Sequence, residues 1–153
     1  MKKLLYQFDT DTLPSVFDNV VGYDGGADHV CAYGGVNAAN VGGLVEGAIF
    51  TRGLKDKKNT AVFIGGGNMA AGEAMLGAVR SKFFANFRVS VMFDCNGSNT
   101  TASAAVAWLA HGRSLAGKRA VVGFVIADLM GGKIRLCEQR FDQRLGNPPV
   151  AVP

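Results

Sequence analysis

Short apolar runs alternate along this chain with segments in which apolar residues recur every three or four positions. Residues 3–8, 29–33, 60–64, 88–93 and 119–122 are brief and rich in β-branched or aromatic side chains, and each predicts a strand. Between the first two, Thr12 offers an N-cap and Pro14 a first helical turn. Val16, Phe17, Val20 and Val21 give that helix its apolar face, and the glycines of 22–26 end it. Residues 37–50 read as a glycine-weakened helix, Lys55-Asp56-Lys57-Lys58 as a solvated loop, and 69–84 as a helix. In this last helix Ala70, Ala74, Leu76, Val79 and Phe83 alternate with Glu73, Arg80 and Lys82. From Thr101 onward an alanine-rich helix follows. The βαβα order predicts an α/β fold of three layers, a mainly parallel sheet with helices on both faces.

Three polar clusters interrupt this pattern. Asp94-Cys95-Asn96-Gly97-Ser98-Asn99-Thr100-Thr101 leaves an apolar strand and enters a helix, where free backbone N–H groups and the positive end of the helix dipole converge. Taken singly, Ser98 or Asn99 reads as an N-cap and Gly97 as a turn; as a cluster they read as a ligand edge. Gly22-Tyr23-Asp24-Gly25-Gly26-Ala27-Asp28-His29 gathers two carboxylates, a phenol and an imidazole in what reads as one glycine-bent loop, with Asp18 a turn upstream. Both clusters are expected on the same side of the sheet, where carboxylates beside amides suit the donor-rich edge of an aminopyrimidinone ring. The third, Gly65-Gly66-Gly67-Asn68-Met69-Ala70, fits G-x-G-x-x-A after a strand. Gly65 and Gly67, with Asp94 at the end of the next strand, could hold a dinucleotide, favouring NAD over NADP. A tight strand-to-helix turn is the alternative, in a chain with 21 glycines.

Composition narrows the classes. The 153 residues suit one α/β domain, and 48% hydrophobic against 18% charged residues argues against disorder. No apolar run approaches the ~20 residues of a membrane span, and Gln7, Asp9 and Asp11 cut the opening apolar stretch short of a signal peptide. A cytoplasmic protein without a membrane partner is expected. Cys31, Cys95 and Cys137 lack C-x-x-C spacing and are accompanied by only 2 histidines, which predicts reduced thiols and no metal site. The net charge of +4 comes from scattered basic residues, so nucleic acid is not an expected partner.

Six segments together carry a resemblance. They are Leu4-Leu5-Tyr6-Gln7-Phe8-Asp9-Thr10-Asp11, Pro14-Ser15-Val16-Phe17-Asp18, Val21 through His29, Ile49-Phe50-Thr51-Arg52-Gly53, Gly65 through Glu73, and Asn96-Gly97-Ser98-Asn99-Thr100-Thr101. In order and with natural spacing over roughly residues 3–122, they resemble the N-terminal half of bacterial methylene-tetrahydromethanopterin dehydrogenases. The resemblance implies an oxidoreductase of one-carbon metabolism. It would oxidise methylene-tetrahydromethanopterin, or in some members methylene-tetrahydrofolate, to the methenyl form while reducing NADP or NAD. It further implies a homo-oligomer, with a trimer suggested by the family, and a first half that supplies much of the pterin cleft. On that basis the substrate-binding candidates are Tyr23, Asp24, Asp28, His29, Asn96, Ser98, Asn99 and Thr100; no catalytic residue is assigned. The chemistry asks mainly for orientation, since loss of hydride from a carbon between two nitrogens gives a delocalised cation without a metal or strong base.

The resemblance ends near residue 122. Where family members continue into a glycine-rich phosphate loop and a nucleotide-binding domain, this chain reads Gly123-Phe124-Val125-Ile126-Ala127-Asp128-Leu129-Met130-Gly131-Gly132-Lys133. Residues 1–117 are therefore expected to be the pterin-binding domain. Residues 118–153 are expected to be a remnant or divergent start of the nucleotide-binding domain, as in a truncated or frame-shifted product, with a disordered tail. Such a chain would be catalytic only when completed by cofactor-binding residues from elsewhere. The competing readings are a small dinucleotide-binding module using Gly65 to Ala70 and Asp94, and a non-catalytic oligomerisation domain.

Overall fold

Along Leu4–Asp9 (β1) the side chains alternate, Tyr6 and Phe8 to one face and Leu5, Gln7 and Asp9 to the other. The computed structural model, which describes residues 1–112, 114, 122–127 and 134–139, makes this strand the interior of a four-stranded parallel sheet. The order is β2-β1-β3-β4, with His29–Tyr33 as β2, Thr60–Gly65 as β3 and Ser90–Phe93 as β4. Leu4 stands opposite both His29 and Thr60, and Phe63 opposite Met92, so all four strands end on one edge. The helices are Val16–Asp24 (α1), Val41–Phe50 (α2), Met69–Ser81 (α3) and Ser98–Ala110 (α4). Because the chain steps from β1 outward to β2 and then back across to β3 and β4, right-handed crossovers place α1 on one face and α2 and α3 on the other. The three-layer α/β expectation holds.

The main core lies under α2 and α3. Phe8, Val62 and Ile64 from the sheet meet Val41, Val45, Ile49, Met75 and Val79, all buried. Among the described residues the opposite face carries α1, none of whose residues is fully buried. Among the described residues no helix is long and apolar enough to cross a membrane.

Several boundaries differ from the sequence-based expectation for physical reasons. The first helix runs through Gly22, Tyr23 and Asp24 instead of ending at Gly22. Gly22 is used for close approach, since a Cβ there would stand 2.9 Å from Leu5 Cδ2 and 3.2 Å from Val30 Cγ2. Residues 37–40 form a turn ahead of α2, where Asn37 Oδ1 accepts from Ala39 N at 2.9 Å and Asn40 Oδ1 accepts from Asn37 N at 2.8 Å. The third helix stops at Ser81 because Phe84 and Phe87 pair across a turn with Ala85 left-handed (φ 45°), their rings stacked 5.1 Å apart. The fourth helix begins at Ser98, earlier than expected. In the second half, Val122–Ala127 (β5) pairs antiparallel with Ile134–Gln139 (β6). The expected strand at 119–122 is thus met only at its last residue; residues 119–121 and the tail expected to be disordered lie outside the described residues. The chain divides into two compact units, Met1–Ala104 and Ala105–Pro153.

The charged patch at 55–58 is the clearest departure. Leu54–Asn59 is a 3₁₀ helix, and Lys57 within it is buried. Its ammonium donates to Ile49 O and, at 2.9 Å, to Arg52 O, and stands 4.7 Å from the centre of the Phe87 ring. Lys57 thereby answers carbonyls at the C-terminal end of α2, where the helix dipole also favours a cation. Lys57→Met keeps the apolar stem and removes the donors. It is expected to lower the unfolding free energy by about 1–3 kcal/mol, measured by urea denaturation. A change below about 0.5 kcal/mol would contradict the capping role.

Candidate functional site

The sheet reverses its direction of growth between β1 and β3, so the strand ends there leave a crevice flanked by two loops. Asp9 closes β1 and is fully buried. Its Oδ1 accepts from Asp11 N at 2.9 Å, and its Oδ2 accepts from Ser15 N at 2.9 Å and from Gln7 Nε2 at 3.4 Å. Ser15 in turn caps α1, its Oγ accepting from Asp18 N at 3.2 Å. Asp11 Oδ2 crosses to the other loop and accepts from Gly67 N at 2.9 Å, while Thr10 N donates to Gly65 O at 3.2 Å. Gly66 is left-handed (φ 106°), and a Cβ on it would collide with Thr10 Oγ1 and stand 2.7 Å from Asp9 Oδ1. A third loop joins through Asn96 N, which donates to Gly66 O at 3.0 Å.

At the end of β4, Asp94 is buried and organises the start of α4. Its Oδ1 accepts from Asn99 N at 2.7 Å and Thr100 N at 3.1 Å, and its Oδ2 from Thr100 Oγ1 at 2.6 Å. Asn99 Nδ2 donates to Phe93 O at 2.7 Å. Asp94, Asn99 and Thr100 are thus committed to capping. Asn96 is different: it holds a left-handed backbone (φ 59°, ψ 22°), its side chain is exposed, and among the described residues its amide has no hydrogen-bond partner.

These loops border a groove of about 970 Å³. It starts at Asp11, Gly67, Asp94 and Asn96, runs over Phe63, Ala61, Leu5 and Met92, is walled by Phe17, Asp18 and Val21 of α1, and ends at Lys3 and Lys58. The strand-end side of the groove is acidic. Burial pushes the Asp18 carboxyl above the ordinary range, Asp9 and Asp94 push the same way, and the Ser15 hydrogen bond opposes them. The Cys95 thiol, pushed up to about 11 by burial and then by Asp9, Asp11, Asp94 and Asp18, donates to Gly65 O at 3.3 Å and is a poor nucleophile at neutral pH. Gln7 Oε1 and Thr10 Oγ1 are buried without partners. Among the described residues no three His, Cys, Asp or Glu side chains are grouped to hold a metal ion.

The structure separates the two expected clusters. Tyr23 and Asp24 lie in the last turn of α1, and Asp28 and His29 at the start of β2, at the opposite edge of the sheet from Asn96, Ser98, Asn99 and Thr100. In a parallel sheet a helix-to-strand connection returns to the N-terminal edge, so the two loops do not share a side of the sheet as expected. Tyr23 OH accepts from Val30 N at 3.4 Å and Asp28 Oδ2 from Lys3 N at 2.6 Å. The groove touches that loop at Gly25, Gly26 and Ala27. Asp9, Asp11 and Ser15 were not among the candidates; acids directly behind the first strand were their signal. For Gly65, Gly67 and Asp94 the geometry favours the tight turn over a phosphate cradle. Asp11 already occupies the Gly67 N–H, Asp94 caps α4, and neighbouring carboxylates repel a pyrophosphate.

Comparison with known proteins agrees with this architecture. Residues 16–96 match the family model described as methylene-tetrahydromethanopterin dehydrogenase, N-terminal. The chain is 63% identical over 123 residues to the bifunctional protein MdtA of Methylorubrum extorquens, an alignment covering 79% of this chain and 43% of that protein. It is 34% identical over 93 residues to the NAD(P)-dependent methylenetetrahydromethanopterin dehydrogenase of the same organism, covering 61% of this chain and 31% of that protein. The chain thus spans less than half the length of either relative.

The raised Asp18 carboxyl has a consequence for stability. The unfolded chain loses this proton at lower pH than the folded one, so stability falls as pH rises from the ordinary aspartate range through the raised folded value. Asp18→Asn cannot ionise and escapes that loss. Its stability relative to the parent is expected to be greater at about pH 7 than at about pH 4, measured by urea unfolding at both. An unchanged or reversed difference would contradict the assignment.

Proposed function

Because the chain belongs, through an N-terminal domain, to the methylene-tetrahydromethanopterin dehydrogenase family, we propose that the strand-end side of its groove binds the head of a reduced, methylene-bearing pterin. The carrier would be tetrahydromethanopterin or tetrahydrofolate. The observation that carries this reading is the pair of carboxylates that line the groove beside the crevice between β1 and β3: Asp11, whose Oδ2 alone is held by Gly67 N, and Asp18. A reduced aminopyrimidinone presents several N–H donors along one edge, which such a rim complements. Asn96, held by its backbone with a free amide, supplies both a donor and an acceptor at the mouth.

The same rim suits the chemistry. Hydride departure from the methylene carbon leaves a positive charge shared by its two nitrogens, and fixed carboxylates stabilise charge that develops beside them without reorganising. Asp18, on the wall of the groove, is our choice for that role. Phe63 and Met92 on its floor give the reacting carbon an apolar surface to lie against.

A nicotinamide dinucleotide is supported as hydride acceptor by the name of one relative, which is NAD(P)-dependent. Its phosphates do not fit the glycine loop of this chain, where Asp11 holds Gly67 N. The groove's residues are therefore assigned to the pterin alone. The exposed Val16, Phe17 and Val20 on α1 support assembly into a homo-oligomer.

Calorimetric titration of the folded chain with methylene-tetrahydromethanopterin is expected to give saturable binding. Asn96→Gly, which accommodates the left-handed backbone, is expected to keep or raise the unfolding midpoint while weakening binding about 2–10-fold. Absence of binding by the folded parent would overturn the proposal.

A further inference from the structure

The groove does not end at the acidic crevice, and its chemistry changes along its length. Leu4 pairs with Thr60, which sets Lys3 beside Lys58 and Asn59 at the end of the 3₁₀ helix, at the opposite edge of the sheet, and both lysines line the groove. Between the two ends the floor is apolar, formed by Leu5, Ala61 and Phe63. Six-residue strands make this path roughly 20 Å long, more than a bicyclic head occupies. Its volume of about 970 Å³ likewise exceeds what a head alone requires.

The basic end is held in place by main-chain contacts. Lys3 N donates to Asp28 Oδ2 at 2.6 Å, which fixes the backbone at Lys3. Arg52 Nη1 donates to both Lys2 O and Asn59 O at 2.9 Å, tying the two strand starts together with a third positive charge. Lys3 and Lys58 are exposed, and among the described residues neither ammonium is in an ion pair; the pair present is Lys82–Glu46. One end of the groove thus asks for N–H donors or positive charge and the other for an anion, with an apolar path between.

We propose that Lys3 and Lys58 form a subsite for the anionic tail, carboxylate or phosphate, of the ligand whose head sits at the strand ends. This rests on the pterin reading above. It makes the tail, held by these two lysines, a contributor to affinity.

The test titrates the full chain with a tail-less methyl-tetrahydropterin and with tetrahydrofolate carrying one or three glutamates. Each probe is repeated with Lys3→Glu/Lys58→Glu and with the milder Lys3→Gln/Lys58→Gln. The parent is expected to bind the tailed ligands about 10-fold more tightly than the tail-less one, with the advantage shrinking as salt rises. Both double variants are expected to lose that advantage while keeping the parent's affinity for the tail-less probe and its unfolding midpoint. Equal affinity of the parent for tailed and tail-less ligands, or an advantage that survives in the double variants, would overturn the tail subsite and leave the head site standing. Failure of the folded parent to bind any of the probes would overturn the head site, and the tail subsite with it.

Discussion

A buried carboxylate at the end of an interior strand is the constraint from which the rest of this site follows. Asp9 is fully enclosed, and a carboxyl group in that position is tolerated only when hydrogen-bond donors surround it. The donors come from the chain that immediately follows, Asp11 N and Ser15 N, so the loop after β1 must curl back over its own strand end. That curl aims Asp11 across the crevice at Gly67 N and sets Ser15 as the cap of α1. With Asn96 N on Gly66 O, three loops from three strands are locked by contacts that all lead back to Asp9. Gly66 has no alternative, because Asp9 and Thr10 fill the space a side chain would need.

This arrangement has an electrostatic consequence that links structure to chemistry. Burial, and after it the carboxylates gathered around the strand ends, push the Asp18 and Cys95 protons toward retention, and Asp11 and Asp18 line the groove. Such a rim disfavours phosphates and favours donors, which is the basis for proposing a pterin head there in place of a dinucleotide. Binding and stability are therefore in tension at Asp18: the charge that would steady a developing cation is one the folded chain holds at a disadvantage.

Much of the fold was legible from alternation and turn chemistry. The first four strands were found within a few residues because brief β-branched runs between glycines and polar turns have few other solutions. Lys57 was misread because a run of charges looks solvated unless one knows that a helix ends above it. Of the site, the Asp94 cluster was visible as a polar strand end, yet Asp94, Asn99 and Thr100 proved to be caps, and only the backbone of Asn96 marks it as available to a ligand. Asp9 and Asp11 stood out in the sequence only as charges that cut the opening apolar stretch short, since nothing in the first strand says that it will lie inside the sheet. The placing of Tyr23 to His29 beside Asn96 failed for another reason: a parallel sheet, which the βαβα order already predicts, returns a helix-to-strand connection to the edge opposite the strand ends, whatever polar residues it carries.

The central claim is that a reduced pterin head docks among the loops that Asp9 locks together. An amide-resolved NMR titration of the full chain with tetrahydromethanopterin tests it directly. The account predicts that the largest shifts fall on Asp11, Gly66, Gly67 and Asn96, with Val45 and Met75 in the opposite layer unmoved. Shifts concentrated around Tyr33, Gly43 and Gly47, where a smaller hollow of about 210 Å³ lies on the other face, would contradict it.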